Sequence, residues 1–243
     1  MVTLLAVEGA LLAWYDEHGR DLPWRHTRAP YAILVSEVML QQTQVERVIP
    51  RYEAWLDRWP TVEALADAST GDVIRAWQGL GYNRRAVNLH RAAQVVARSG
   101  WPEELTDLPG VGRYTADAVR RFAFDEPVLP LDTNVRRVTE RTGHRFSPAA
   151  AHALMDLGAT VCVARIPRCG ACPLASGCPA RGRRYEPLRR QSRFEGSFRQ
   201  RRARTLRLVA QASQPLASLD EPVVAALARD GLVQVEAGLV RLP

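Results

Sequence analysis

The sequence predicts a mostly α-helical chain that closes on a small mixed α+β unit. Apolar residues recur at helical spacing between glycine and proline breaks through most of its length, and the last residues read as helix, helix and hairpin. One stretch concentrates the chemistry. Leu108 to Asn134, LPGVGRYTADAVRRFAFDEPVLPLDTN, sets a Gly-Val-Gly turn before an apolar-periodic helix and reaches Asp132 just ahead of another.

Composition bounds the answer. The 243 residues, 47% of them hydrophobic, suffice for a sizeable core in one large or two compact domains. A formal charge of +7 suits a polyanionic partner. Every basic residue is arginine, which excludes Schiff-base catalysis by a lysine side chain. The N-terminal residues lack the basic leader of a secretory signal, and no run is long enough to span a membrane, so a cytoplasmic, nucleoid-associated protein without a membrane partner is expected.

In chain order, residues 2–18 read as a helix ending near Gly19, and a second helix starts after Pro30 and runs to about Leu40. Thr43 and Glu46 have capping-box spacing, which starts a third helix whose Val45, Val48, Ile49, Tyr52, Trp55, Leu56 and Trp59 read as core. The kink between these helices exposes Gln41, Gln42 and Thr43. Glu37 lies among Val35, Val38, Met39 and Leu40. In such company the ionised carboxylate is disfavoured, and the group can hold a proton near neutral pH; a helix-surface glutamate is the alternative. Residues 61–98 read as two or three short helices broken by GLGY (Gly79–Tyr82), with Tyr82 either a core ring or a wedge for a base stack.

Gly110 and Gly112 can take positive φ without steric cost, and a turn built with Val111 and Arg113 directs backbone amides outward at a helix start, an anion site. The alternative is a plain helix connection, with Asp132 an N-cap. Cys162, Cys169, Cys172 and Cys178 are spaced C-x6-C-x2-C-x5-C. Disulfides are not expected in a cytosolic chain; four thiolates suit either zinc or an iron–sulfur cluster. Arg165 and Arg168 lie within the first interval, placed to meet phosphate. Arginines 181, 183, 184, 189, 190, 193, 199, 201, 202 and 204, interleaved with Tyr185, Phe194 and Phe198, read as a linker able to touch a nucleic-acid backbone. The remainder suggests a small winged-helix-like unit.

The hairpin segment resembles the helix-hairpin-helix, Gly/Pro-rich loop and aspartate of base-excision DNA glycosylases. SEVMLQQTQV, GLGY and the cysteine spacing are similar to the MutY-type adenine DNA glycosylases, over roughly residues 20–180. The resemblance implies a helix-hairpin-helix DNA glycosylase fold with a six-helix module over 20–132 and an iron–sulfur module from 1–19 and 133–180. An Arg-rich linker over 181–204 and the C-terminal unit over 205–243 complete it.

It implies a [4Fe–4S] cluster on the four cysteines, Glu37 as the acid that protonates adenine, and Asp132 as the carboxylate that stabilises or attacks the sugar cation. Tyr114 and Asn134 would orient these groups and the water, with Trp24, Arg25 and His152 by the extruded base. Gln42, Thr43, Leu80 and Tyr82 would contact the opened duplex. Bifunctional members carry their nucleophilic lysine at position 114; tyrosine there implies base excision without strand cleavage.

The expected partner is double-stranded DNA containing a mispair, bound by a monomer. Three departures stand out. The interval from Asn134 to Cys162 is shorter than the family pattern. His152 stands where relatives often have glutamate or glutamine. The segment after Cys178 is too short for the larger domain with which many relatives read 8-oxoguanine. Two other readings remain: a glycosylase for mispaired thymine, uracil or hypoxanthine, and a non-catalytic damage-sensing DNA-binding protein.

Overall fold

The computed structural model describes residues 4–186 and 193–243. Residues 1–3, Arg189 and Arg190 lie outside the described residues. The order is α1 (Leu4–His18), α2 (Pro30–Leu40), α3 (Val45–Arg58), α4 (Val62–Ala66), α5 (Thr70–Ala76), α6 (Arg84–Ser99), α7 (Arg113–Ala123), α8 (Thr133–Thr142) and α9 (Ala151–Thr160), then α10 (Phe198–Gln211), β1 (Gln214–Pro215), α11 (Glu221–Arg229), β2 (Gln234–Glu236) and β3 (Leu239–Arg241). The chain divides into two compact units, Met1–Pro30 with Arg113–Arg190, and Tyr31–Gly112 with Gln191–Pro243. Among the described residues no helix is long and apolar enough to cross a membrane.

In the first unit α1, α8 and α9 enclose Leu11, Val135, Val138, Leu154 and Leu157, with Leu174 packed in from the cysteine segment. Gly158 lets α9 approach the start of α8, because a Cβ there would come within 2.6 Å of the Asn134 Cβ. The helix that carries Asn134 is thereby seated directly on α9.

In the second unit α2 is buried from Tyr31 through Met39. The Tyr31 hydroxyl donates to the Trp59 carbonyl (3.0 Å) and accepts from Trp55 Nε1 (3.2 Å), and the Trp55 ring meets Trp77 edge-on at 5.5 Å. Residues 61–98 hold two short helices and then the 16-residue α6, longer than the short helices expected. Its Ala86, Val87, Leu89, Ala92, Ala93 and Val96 keep one buried helical stripe along its length.

The C-terminal segment has the order helix, strand, helix, hairpin, with an antiparallel sheet ordered β1-β3-β2. Strand β1, which the sequence did not suggest, pairs Gln214 with Val240. Two domain boundaries need correction. Leu206, Val209, Val223, Val224 and Leu227 share one core with Ile74 and Val87, so residues 205–243 are part of the second unit rather than a separate one. The helix α7, expected with the six-helix module, belongs to the first unit. The expected linker also ends early: Ser197 caps α10 by accepting from the Gln200 amide, so residues 198–204 are helical. Two of its arginines are held inside the unit, Arg201 on Asp220 and Arg202 on Asp230, each at 2.6 Å.

Candidate active site and nucleic-acid interface

The second unit carries Glu37 and the residues expected at the opened duplex. Glu37 is the sole charged residue of α2 and is 5% exposed, with its Oε2 atom fully enclosed. The helix ends on Leu40, and Gln42 follows with φ 58°, its side chain exposed. Tyr82 has φ 46° and is 52% exposed. Left-handed backbone is uncommon for a bulky residue and marks a conformation fixed by its surroundings.

The capping box does not form. Gln44 is the N-cap of α3 without a side-chain bond, because the Thr43 hydroxyl is taken by Arg85 Nη2 at 3.0 Å. Leu80 is also not a contact residue by its side chain, which is 3% exposed and turned into the core.

Of the hairpin turn, Gly110 takes φ 78°, and a Cβ there would lie 2.7 Å from the Asn88 Cβ, so glycine is required twice over. Gly112 does not take positive φ, contrary to expectation. Val111 is buried and its amide donates to the Leu108 carbonyl at 3.1 Å, so that amide is not offered outward. Among the described residues the amides of Gly112 and Arg113 make no bond to a backbone carbonyl, and both residues are exposed where α7 begins.

The first unit holds Asp132. It caps α8, with Oδ1 accepting from the Val135 amide at 2.6 Å and Oδ2 from Asn134 Nδ2 at 2.8 Å. The N-cap and the functional reading therefore apply to one carboxylate. Asn134 Oδ1 accepts from Arg137 Nη2 (2.6 Å), and Arg137 also donates to the Gly158 carbonyl (2.7 Å) and, from Nε, to the Cys162 carbonyl (2.7 Å). A continuous chain of hydrogen bonds thus runs from Asp132 to the first cysteine. Arg137 was not singled out from sequence, where it is one arginine among many. Tyr114 is half-buried in the first turn of α7.

Arg25, expected by the extruded base, is held by a buried carboxylate. Its guanidinium forks onto Asp156, Nη1 to Oδ2 at 2.8 Å and Nη2 to Oδ1 at 2.7 Å, and Asp156 also accepts from the Arg20 amide and Nε at 2.8 Å each. Asp156 is fully buried; burial pushes its carboxyl up, but the Arg25 and Arg20 bonds hold it below the usual range. The sequence signal was the one that marked Glu37, a lone carboxylate in an apolar helix. One turn earlier on α9, His152 stacks on Phe122 at 4.2 Å with planes 16° apart. Burial, then the Arg25 charge, pushes its imidazole down to about 4. Trp24, beside Arg25 in a short turn, is 8% exposed.

All four cysteines line one cavity of the first unit with Val138, Leu157, Val161 and Ala180. None is in a disulfide. Burial pushes the Cys172 thiol up, and Cys162, Cys178 and Cys169 add to the rise, which places the four sulfurs within each other's field. Arg141 Nη1 reaches Cys162 Sγ at 3.6 Å and the Gly182 amide reaches Cys169 Sγ at 3.3 Å, donors that suit thiolates. Among the described residues no three His, Cys, Asp or Glu are grouped to hold a metal ion. Four cysteines on one cavity are a donor set that suits either zinc or an iron–sulfur cluster. Arg165 and Arg168 are exposed on the intervening loop.

Residues 35–152, which include the glycine hairpin and the capped aspartate, match the model of the HhH-GPD superfamily base excision DNA repair protein. The chain is 45% identical over 241 residues to the adenine DNA glycosylase of Mycobacterium tuberculosis, covering 85% of this chain and 79% of that one. It is 43% identical to that of Mycolicibacterium smegmatis (88% and 84% covered), and 41% identical to the human enzyme, of which it covers 40%. It belongs to the adenine DNA glycosylase family of that superfamily, and is a base-excision repair glycosylase. Among solved structures, a thermostable thymine-DNA glycosylase superposes with a TM-score of 0.66 at 27% identity (72% and 95% covered). Endonuclease III trapped on DNA superposes with 0.62 at 22% (74% and 97% covered), a likeness of fold.

Proposed function

We propose that the protein hydrolyses the N-glycosidic bond of adenine mispaired with guanine or 8-oxoguanine in double-stranded DNA and leaves the strand uncut. The observation that carries this reading is Glu37, a carboxyl group 5% exposed in an otherwise uncharged helix. Burial disfavours its ionised form, so it holds a proton to give. Extruding the base costs a few kcal/mol before any side chain can reach it. As the bond breaks, its electron pair leaves with adenine, which takes the proton of Glu37; water then adds to the sugar carbon and its proton returns to the Glu37 carboxylate. The sugar passes through a cation, and Asp132, fixed by two N–H donors, lowers that barrier electrostatically.

His152 lies in the region assigned to the base. With its imidazole held near 4 it is neutral at physiological pH, and offers one donor and one acceptor instead of a charge. Cys162, Cys169, Cys172 and Cys178 would hold a [4Fe–4S] cluster, which supplies no chemistry to the base and fixes the loop of Arg165 and Arg168. A second reading, excision of mispaired thymine, has the superposition on the thymine-DNA glycosylase in its favour.

The test is mutation of the two carboxyl groups. Glu37→Gln and Asp132→Asn should each reduce single-turnover adenine release by at least about a hundredfold, the usual scale of a lost acid or electrostatic group. Gel-shift binding of a mispaired duplex should stay close to native. Native turnover by either variant would remove that residue from the mechanism.

A further inference from the structure

Arg85, at the start of α6, is absorbed by none of the roles above. Its side chain is half-buried, and burial pushes its pKa down to about 10. Among the described residues no carboxylate is among its acceptors. Nη1 donates to the carbonyls of Val38 (2.6 Å) and Met39 (3.0 Å), in the last turn of α2. Nη2 donates to Thr43 Oγ1 (3.0 Å) and to the carbonyls of Leu80 (3.3 Å) and Gly81 (3.0 Å). The guanidinium lies over the Trp77 ring at 5.2 Å and the Tyr82 ring at 5.6 Å. A cation at the carbonyl end of a helix is favourable, and a planar fork of five N–H groups can bridge two chain segments as an ammonium cannot.

Each of the two segments it joins holds an exposed residue in left-handed backbone, Gln42 (φ 58°) in one and Tyr82 (φ 46°) in the other. The same helix turn carries Glu37. We propose that Arg85 is a positioning residue that locks the end of α2 to the Gly79–Tyr82 turn, so that Gln42, Tyr82 and the helix bearing Glu37 open the duplex as one rigid body. The inference rests on the reading of Gln42 and Tyr82 as residues that enter the duplex. Without the fork, the carbonyls of Val38, Met39, Leu80 and Gly81 lose their shared donor, and the long Thr43 hydroxyl bond to the Leu80 carbonyl (3.4 Å) is left to bridge the two turns. Binding of the phosphate backbone by the hairpin does not depend on it.

The experiment reads extrusion directly, using the full-length protein and a duplex with 2-aminopurine at the adenine position, where unstacking raises fluorescence. Arg85→Lys and Arg85→Gln are compared with Tyr82→Ala and with Glu37→Gln, alongside thermal unfolding and affinity for an undamaged duplex. Arg85→Lys should fold and bind the undamaged duplex like the native protein. Its extrusion equilibrium should fall by about tenfold or more, about 1.4 kcal/mol, as should that of Tyr82→Ala, whereas Glu37→Gln should extrude normally. Native extrusion by both Arg85 variants, with loss in Tyr82→Ala, overturns the role of Arg85 and leaves the duplex-opening reading intact. Native extrusion by Tyr82→Ala overturns that reading itself. Failure of both Arg85 variants to fold makes the residue one of general stability and also overturns the proposal.

Discussion

Asp156 and Glu37 are both carboxyl groups buried on apolar helices, and their surroundings separate them. Asp156 receives two guanidinium groups and a backbone amide, so its charge is retained and its role is to fix Arg20 and Arg25. Removing one partner of a buried pair costs about 3–5 kcal/mol because the other charge is stranded. Asp156→Asn should lower the unfolding free energy by that amount in a urea titration; a loss under about 1 kcal/mol, the worth of a surface pair, would contradict the pairing.

The same neighbourhood sets an acid response. His152 is held near 4 in the folded chain, against about 6.5 when unfolded. Between those values the unfolded state binds more protons, so stability is full above about 6.5 and falls as pH drops toward 4. Asp156, held below its ordinary value, adds a second loss below about 3.9. His152→Gln should shrink the first limb; His90, also held down by burial, accounts for what remains. An unchanged first limb would show that His152 does not titrate as described.

At the scale of elements, the cysteine segment and α8 act together. The chain Asp132–Asn134–Arg137–Cys162 carbonyl means that the loop of cysteines also braces the capped aspartate. Purified protein should be brown and contain about four irons per chain; one equivalent of zinc in anaerobically prepared protein would make this a zinc site.

What was legible in the sequence follows from how local each signal is. The run PYAILVSEVML needs no partner to be read as a buried helix carrying one acid, and two prolines before Asp132 announce a helix start. The Thr43–Glu46 box was misread because a threonine hydroxyl can serve its own helix or a distant arginine, and Arg85 lies far along the chain. The Arg25–Asp156 pair was illegible for the same reason, the partner being on α9. Gly112 looked equivalent to Gly110; only Gly110 has Asn88 against it.

Across the whole molecule, the C-terminal segment completes the core begun by α5 and α6. With no lysine in the sequence and Tyr114 in the hairpin, borohydride should trap no covalent DNA adduct; efficient trapping would show a nucleophile elsewhere, such as a terminal amine. On the proposed reading, the base opposite the target would meet few candidate groups: Gln42 is exposed, the Thr43 hydroxyl is engaged by Arg85, and Leu80 is buried. Telling 8-oxoguanine from guanine requires a dedicated hydrogen-bond partner, worth about 1–3 kcal/mol each. A single such contact gives a preference of about ten- to a hundredfold for 8-oxoguanine.

The most direct test of the account is base release, in single turnover, from a panel of duplexes bearing adenine, thymine, uracil or hypoxanthine opposite guanine, and adenine opposite 8-oxoguanine. Adenine released from both of its duplexes, with the other bases retained, is the predicted result. Release of thymine or uracil with adenine left in place would contradict it.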